Sequence, residues 1–211
     1  MTFICEEVID DAKGVVIAKE PQDLINIRDP HCAAVLWKRK LQTDFQNWID
    51  ELDAEKLPDG RLILPTQKID EAVGQLCDIA GTEDNPNREL LINDIASLSQ
   101  LFAAVMEVQY LRLRLEKVND NACRKFHRDA VSARLVCTYR GPGTEYGTSS
   151  NGEEPATIFQ VSTGAPIILR GSAWAEHPNS NLVHRSPPIE GTGKTRLVLV
   201  LDPIADPESE T

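Results

Sequence analysis

The hydrophobic pattern changes period near residue 110. Before that point, helical spacing dominates. In TDFQNWIDEL, Thr43 and Gln46 form a capping-box pattern, and Phe45, Trp48, Ile49 and Leu52 follow at helical intervals. TQKIDEAVGQLCDIAG sets Ile69, Val73, Leu76 and Ala80 on one face, with Gly81 as the stop. Asn85-Pro86 opens a longer helix, a cap residue before a first-turn proline, with the stripe Leu91, Ile95, Leu98, Phe102 and Val105. The apolar run AAVLW at 33–37 reads as a short strand.

After residue 110 the period becomes two. LRLRLEKV places Leu111, Leu113 and Leu115 on one face and Arg112 and Arg114 on the other. ARLVCTYR, ATIFQV, APIILRG, LVHR and TRLVLVLD follow, separated by the turn-rich stretches GPGTEYGTSSNGEEP, STG, EHPNSN and SPPIEGTGK. Short strands at this density predict an antiparallel sandwich or barrel. The fold class is therefore α+β. A mainly helical region with a few short strands (1–107) packs on a β-rich domain (108–203), and a flexible acidic tail (204–211) ends the chain.

Composition narrows the function classes. The chain has 211 residues, enough for one domain or one plus a subdomain. Its net charge of -11 disfavours a nucleic-acid backbone as the main partner. Apolar runs are too short for a membrane span. The N-terminus lacks the basic and apolar regions of a secretory signal. Five widely spaced cysteines with no CxxC fit reduced thiols in a cytoplasm.

Two motifs mislead. HRD at 127–129 looks like a kinase catalytic loop, but that loop requires an asparagine five positions after its aspartate, where this chain has Arg134. GTGKT at 191–195 looks like a phosphate loop, but the required first glycine is Pro188 and no helix follows, so it reads as a hairpin turn.

His127 and Asp129 carry more meaning in another context. On a strand, residues i and i+2 share a face, roughly 7 Å apart at Cα, so both reach one ion. With four histidines and 33 acidic residues in the chain, one His-x-acid pair is near what chance supplies. The signal grows with His184, in the strand-like run LVHR. Two imidazoles and a carboxylate form a facial triad that leaves open positions on Fe(II). Arg196 opens the last strand, TRLVLVLD, in phase with Val198 and Val200. A charge there needs an anionic partner, and a guanidinium suits a carboxylate. A dicarboxylate such as 2-oxoglutarate, with one end near the metal and the other near Arg196, has the right shape.

Other readings stand beside these. His127 and Asp129 form a metal-free hydrogen bond, His184 is a partly buried strand histidine, and Arg196 pairs with Glu145 or Asp202. Cys123 and Cys137 are small core residues. His31 and His177 lie on the surface. GPGTE at 141–145 is a turn or, more sharply, a lid.

The phrases FHRDAVSARLVCTYRGPGTE, LRGSAW and LVHRSPP, followed by TRLVLVLD, resemble the bacterial family known as domain of unknown function 1826. His127, Asp129, His184 and Arg196, spread over terminal strands, also resemble the Fe(II)/2-oxoglutarate-dependent dioxygenases. That resemblance implies a double-stranded β-helix, a jelly-roll relative of the cupins, behind a helical N-terminal region. It implies His127, Asp129 and His184 as iron ligands and Arg196 as the holder of the distal carboxylate. It adds Tyr139 as a co-substrate contact, if the strand runs unbroken from His127. The serine that some branches place two residues after this arginine is Val198 here, and the cupin HxH…E pattern is missing at His127. The implied activity is a hydroxylase-type oxidation of a small molecule or a protein side chain. The helical half would cover the barrel mouth or form a homodimer surface. The alternative function is a non-enzymatic, cupin-like metal-binding protein linked to metal homeostasis, with zinc as the alternative metal and a fourth protein ligand closing its sphere.

Overall fold

The structure is a computed structural model that describes residues 12–149, 153–175 and 181–210. His177 lies outside the described residues. The first half contains β1 (Val15–Ala18), β2 (Ala34–Trp37), α1 (Thr43–Glu51), β3 (Gly60–Pro65), α2 (Ile69–Ala80) and α3 (Pro86–Met106). The second half contains β4 (Tyr110–Val118), β5 (Ala133–Arg140), β6 (Glu145–Thr148), β7 (Phe159–Gln160), β8 (Pro166–Arg170), β9 (Leu182–Arg185) and β10 (Arg196–Ile204).

The strands form two sheets. The larger has the order β1-β2-β8-β5-β10-β4-β3, and the smaller has β7-β6-β9. Only β1 and β2 pair in parallel among the described strands. Alternation along the central strands sends side chains to two different cores. Leu113 and Leu115 of β4, Leu135, Cys137 and Tyr139 of β5, and Leu197, Leu199 and Leu201 of β10 lie in one buried cluster. That cluster also holds Phe45 and Ile49 of α1, Val73 of α2, and Leu91, Ile95 and Phe102 of α3. Val136, Ile167, Leu169, Val198 and Val200, on the opposite phase, join Tyr146 and Leu182 of the smaller sheet. The larger sheet is therefore covered on both faces, and the interior between the sheets is available for a site.

The helices follow local chemistry. Asn85 caps α3, its Oδ1 accepting from the backbone N–H of Asn87 and Arg88 at 3.0 Å each. Helix α2 ends at Gly81 in a left-handed conformation, φ 68°. Helix α3 has a membrane-crossing length and a mean hydropathy of 1.3. Its apolar residues Leu91, Ile95, Leu98 and Phe102 are buried in the protein core.

Several elements differ from the sequence reading. The N-cap of α1 is Gln42, with Thr43 already helical and no side-chain cap. Gln46 instead donates to Asp50 and to the carbonyl of Tyr139. Strand β6 lies inside the stretch GPGTEYGTSSNGEEP, where glycine and serine dilute its pattern. Only Phe159 and Gln160 of ATIFQV pair as strand. Strands β1 and β3 are additional. Strand β10 runs on to Ile204, and Pro207–Glu210 form a 3-10 turn. Cys137 is buried, whereas Cys123 is exposed.

Candidate metal centre

The smaller sheet brings the two histidines together. His184 sits on β9, and His127 forms a two-way backbone bridge with it, each N–H donating to the other's carbonyl at 3.0 Å. Directly opposed residues share a face. The two rings accordingly lie 4.6 Å apart, centroid to centroid.

Asp129 arrives by a different route. The chain between His127 and β5 is irregular, not a continuous strand. It is pinned from the segment after β8. Ser172 N–H donates to the Asp129 carbonyl at 2.8 Å, Ala173 N–H to Val131 at 3.1 Å, and Gly171 N–H to Ser132 at 2.8 Å. A Cβ on Gly171 would collide with the Val131 carbonyl, so only glycine permits this approach. The LRGSAW stretch thereby fixes where Asp129 stands.

His127, Asp129 and His184 converge. One ligand atom from each lies within 4.8 Å of the others. Asp129 Oδ2 is 3.2 Å from His184 Nε2, and Asp129 Oδ1 is 3.5 Å from His127 Nε2. His127 Nδ1 lies 2.9 Å from the carbonyl of Lys125. A carbonyl only accepts, so Nδ1 carries the hydrogen and Nε2 turns to the site. Asp129 is only 8% exposed, and its Oδ2 is buried with no hydrogen-bond partner. A carboxylate that turns one oxygen to each of two imidazole nitrogens, with Oδ2 unsatisfied, is costly without a cation between them. The residues fit a metal ion.

Electrostatics agree. Burial works to raise the pKa of Asp129, but His127, His184 and Arg134 outweigh it and hold the carboxyl well below the usual carboxylate range. Asp129 in turn raises His127 above ordinary imidazole. The site favours positive charge between these groups. Among the described residues no fourth histidine, cysteine, aspartate or glutamate joins the three. Three ligands of this kind suit a metal with open positions.

Arg134 is the residue that the sequence reading missed. It donates through Nη1 to Asp129 Oδ1, through Nε to Asp202 Oδ1 at 2.6 Å and through Nη2 to Asp202 Oδ2 at 2.9 Å. One guanidinium thus ties a triad carboxylate to a second buried carboxylate on β10. It occupies Oδ1 of Asp129 and leaves Oδ2 for the site.

Arg196 lines the same cavity as His127 and His184, a space of about 80 Å³. It is 2% exposed and makes no ion pair among the described residues. The two acids considered as its partners are engaged elsewhere, Asp202 by Arg134 and Glu145 by Arg185. Arg196 Nε donates to the Pro142 carbonyl at 2.7 Å, and Nη2 reaches Thr138 Oγ1 at 3.3 Å. The turn at Gly141 (φ 77°) brings that carbonyl close; a Cβ there would lie 3.0 Å from Arg196 Cγ. Burial pulls the Arg196 pKa down to about 10, while the charges of Glu116 and Glu145 oppose the fall.

Tyr139 is elsewhere. Because the chain from His127 to β5 is irregular, parity does not carry across it. Tyr139 lies with the helices on the far face of the larger sheet. Its hydroxyl donates to Asp94 Oδ2 at 2.6 Å, and Asp94 also takes both Nη atoms of Arg39 at 2.6 Å each. The expectation that Tyr139 holds a co-substrate is corrected to a structural role. Tyr139→Phe is expected to lower stability by about 1–3 kcal/mol in urea unfolding, the worth of a hydrogen bond to a charged group. Metal affinity, measured by titration calorimetry, should not change. A loss of metal affinity at full stability would contradict this placement.

Comparison with known proteins bears on fold and family. Among solved structures, the chain is similar to dioxygenase for auxin oxidation 1 from Arabidopsis thaliana, a complex with 2-oxoglutarate. The TM-score is 0.55 at 11% identity, covering 93% of this chain and 94% of that one. It is also similar to the dioxygenase for auxin oxidation in rice, with a TM-score of 0.53 at 12% identity, covering 94% and 84% respectively. At such identities the likeness establishes a shared jelly-roll fold. No curated protein matches the sequence. The family model described as Protein of unknown function (DUF1826) matches residues 18–202, and the chain belongs to that family.

Proposed function

We propose that this protein is an Fe(II)/2-oxoglutarate-dependent oxygenase acting on a small molecule or a protein side chain. One observation carries the reading: His127, Asp129 and His184 converge beside a cavity that also holds the buried Arg196, which makes no ion pair among the described residues. His127, Asp129 and His184 would hold Fe(II) and leave it open positions for a keto acid and dioxygen. When bound, Fe(II) and 2-oxoglutarate supply dioxygen activation, the co-substrate being oxidised to succinate and carbon dioxide.

The chain's own residues supply the rest. His127 presents Nε2 because Lys125 fixes Nδ1. Asp129 presents Oδ2 because Arg134 holds Oδ1. Arg196 takes the far carboxylate, an anion that would relieve the cost of its burial. A serine partner for that carboxylate is absent at Val198, and Thr138 Oγ1 already stands beside the guanidinium. The segment at 119–126 covers one side of this cavity. That segment contributes Ala122 and Cys123 to the cavity wall. It is tied down by Asn121, whose Oδ1 accepts from the N–H groups of Ile189 and Glu190 at 2.8 and 3.0 Å, by Ser186 N–H to the Cys123 carbonyl at 3.2 Å, and by Phe126 under Arg185 at 4.3 Å.

The test is anaerobic. Fe(II) and 2-oxoglutarate added to the purified protein should produce a metal-to-ligand charge-transfer band in the visible. Folded, iron-loaded protein that shows no band would overturn the co-substrate assignment.

A further inference from the structure

A second arginine in the cavity has unfinished hydrogen bonding. Arg114, on β4, lines the metal cavity with His127, His184 and Arg196. Its side chain is 18% exposed. Its Nε is buried and has no hydrogen-bond partner. Nη2 reaches Asp202 Oδ2 only at 3.5 Å, and Nη1 reaches Glu116 Oε1 only at 3.6 Å. Asp202 is already committed, since Arg134 binds both of its oxygens at 2.6 and 2.9 Å. The residue paired with Arg114 on β3 is Arg61, a like charge.

A mostly buried guanidinium with an orphaned Nε, whose two carboxylate contacts stand only at 3.5 and 3.6 Å, can take a closer anion. Its place suggests which one. Arg114 is in register with Val200, whereas Arg196 is in register with Val118. The two arginines are thus offset by four residues on neighbouring strands, about 13 Å along the strand direction. Both side chains are long enough to reach into the space between. Arg114 stands at the end nearer the metal ligands, because Asp202 links it to Arg134 and so to Asp129. Arg196 stands at the other end.

We infer that Arg114 is a second carboxylate-binding residue of this cavity. It receives the carboxylate beside the keto group of 2-oxoglutarate, and Arg196 receives the distal one. The inference rests on the co-substrate reading above.

Two mono-acids separate the two ends. 2-Oxopentanoate keeps the carboxylate beside the keto group and replaces the distal one by a methyl. 4-Oxopentanoate does the reverse. Binding of each, and of 2-oxoglutarate, is followed by ligand-observed NMR on the full-length, metal-free protein, so that no metal contributes. Arg114→Met should weaken 2-oxoglutarate and 2-oxopentanoate by about 10- to 100-fold, the worth of a charged hydrogen-bonded pair, and leave 4-oxopentanoate unchanged. Arg196→Met should weaken 2-oxoglutarate and 4-oxopentanoate and leave 2-oxopentanoate unchanged. Should Arg114→Met not fold, Arg114→Lys carries the test. It keeps the charge without the planar fork and should show a smaller loss confined to the same two ligands.

If Arg196→Met weakens binding and neither Arg114 variant affects any ligand, the role of Arg114 is overturned and the co-substrate reading stands. If wild-type protein binds none of the three, metal-free or loaded with Mn(II), the co-substrate reading falls and this inference with it.

Discussion

Asp129→Asn is expected to remove high-affinity metal binding while leaving the fold intact. The substitution keeps the shape of the side chain, and its carbonyl oxygen can still accept from Arg134. What it removes is the charge, and it sets an amide N–H2 or a neutral oxygen where Oδ2 now faces His184 Nε2 at 3.2 Å. Loss of an outer partner of a metal ligand commonly costs about 10- to 100-fold in affinity, so loss of the only anionic ligand should cost at least the upper end of that range. Titration calorimetry with Mn(II) or Co(II) measures it directly. The charge-transfer band should disappear with the metal. His184→Ala should behave alike, since it removes a second ligand from the same group. An Asp129→Asn protein that binds metal as tightly as wild type would show that the ion, if any, sits elsewhere.

Much of this site was visible in the sequence, for identifiable reasons. Arg196 lies on a strand whose side chains alternate, so position in the strand gave its direction; His184 was recognised by residue type in the strand-like run LVHR. Arg196 is in phase with Val198 and Val200, and all three face the interior between the sheets. His127 and Asp129 were recognised by residue type and spacing, but through a strand that does not exist; an isolated bridge holds one and the Gly171 contact holds the other. The same irregularity explains why Tyr139 fell on the wrong face. One break in alternation reverses every later parity argument. Arg134 was overlooked although the signal was present. It shares the phase of Val136 and Thr138 in a strand buried on both faces, the pattern that drew attention to Arg196. The fold was legible where apolar periodicity ran for several turns or strand pairs, as in α3 and β4. It was hidden in β6, where only Tyr146 and Gly147 are buried, and in β3, where the apolar run between Gly60 and Pro65 is short and half exposed.

Arg134→Met should be the most destabilising single change at the site. Asp202 is 2% exposed, and Arg134 supplies its two short hydrogen bonds. Asp129 loses its charged partner in the same step. Breaking a buried ion pair from one side costs about 3–5 kcal/mol, because the remaining charge stays in a poorly solvating interior. Arg114, at 3.5 Å from Asp202, offers only partial compensation. Urea unfolding of the metal-free protein would record the loss. Two effects are mixed in that variant, stability and the orientation of Asp129, and a double variant separates them. Arg134→Met with Asp202→Leu replaces both partners by apolar groups, a change that is often neutral or stabilising at buried pairs. Stability should largely return. Metal affinity should not, because Asp129 still lacks the hydrogen bond that holds Oδ1 and directs Oδ2 toward the histidines. The expected deficit is about 10- to 100-fold relative to wild type. If the double variant recovers metal affinity together with stability, Arg134 serves the fold alone and Asp129 needs no guide.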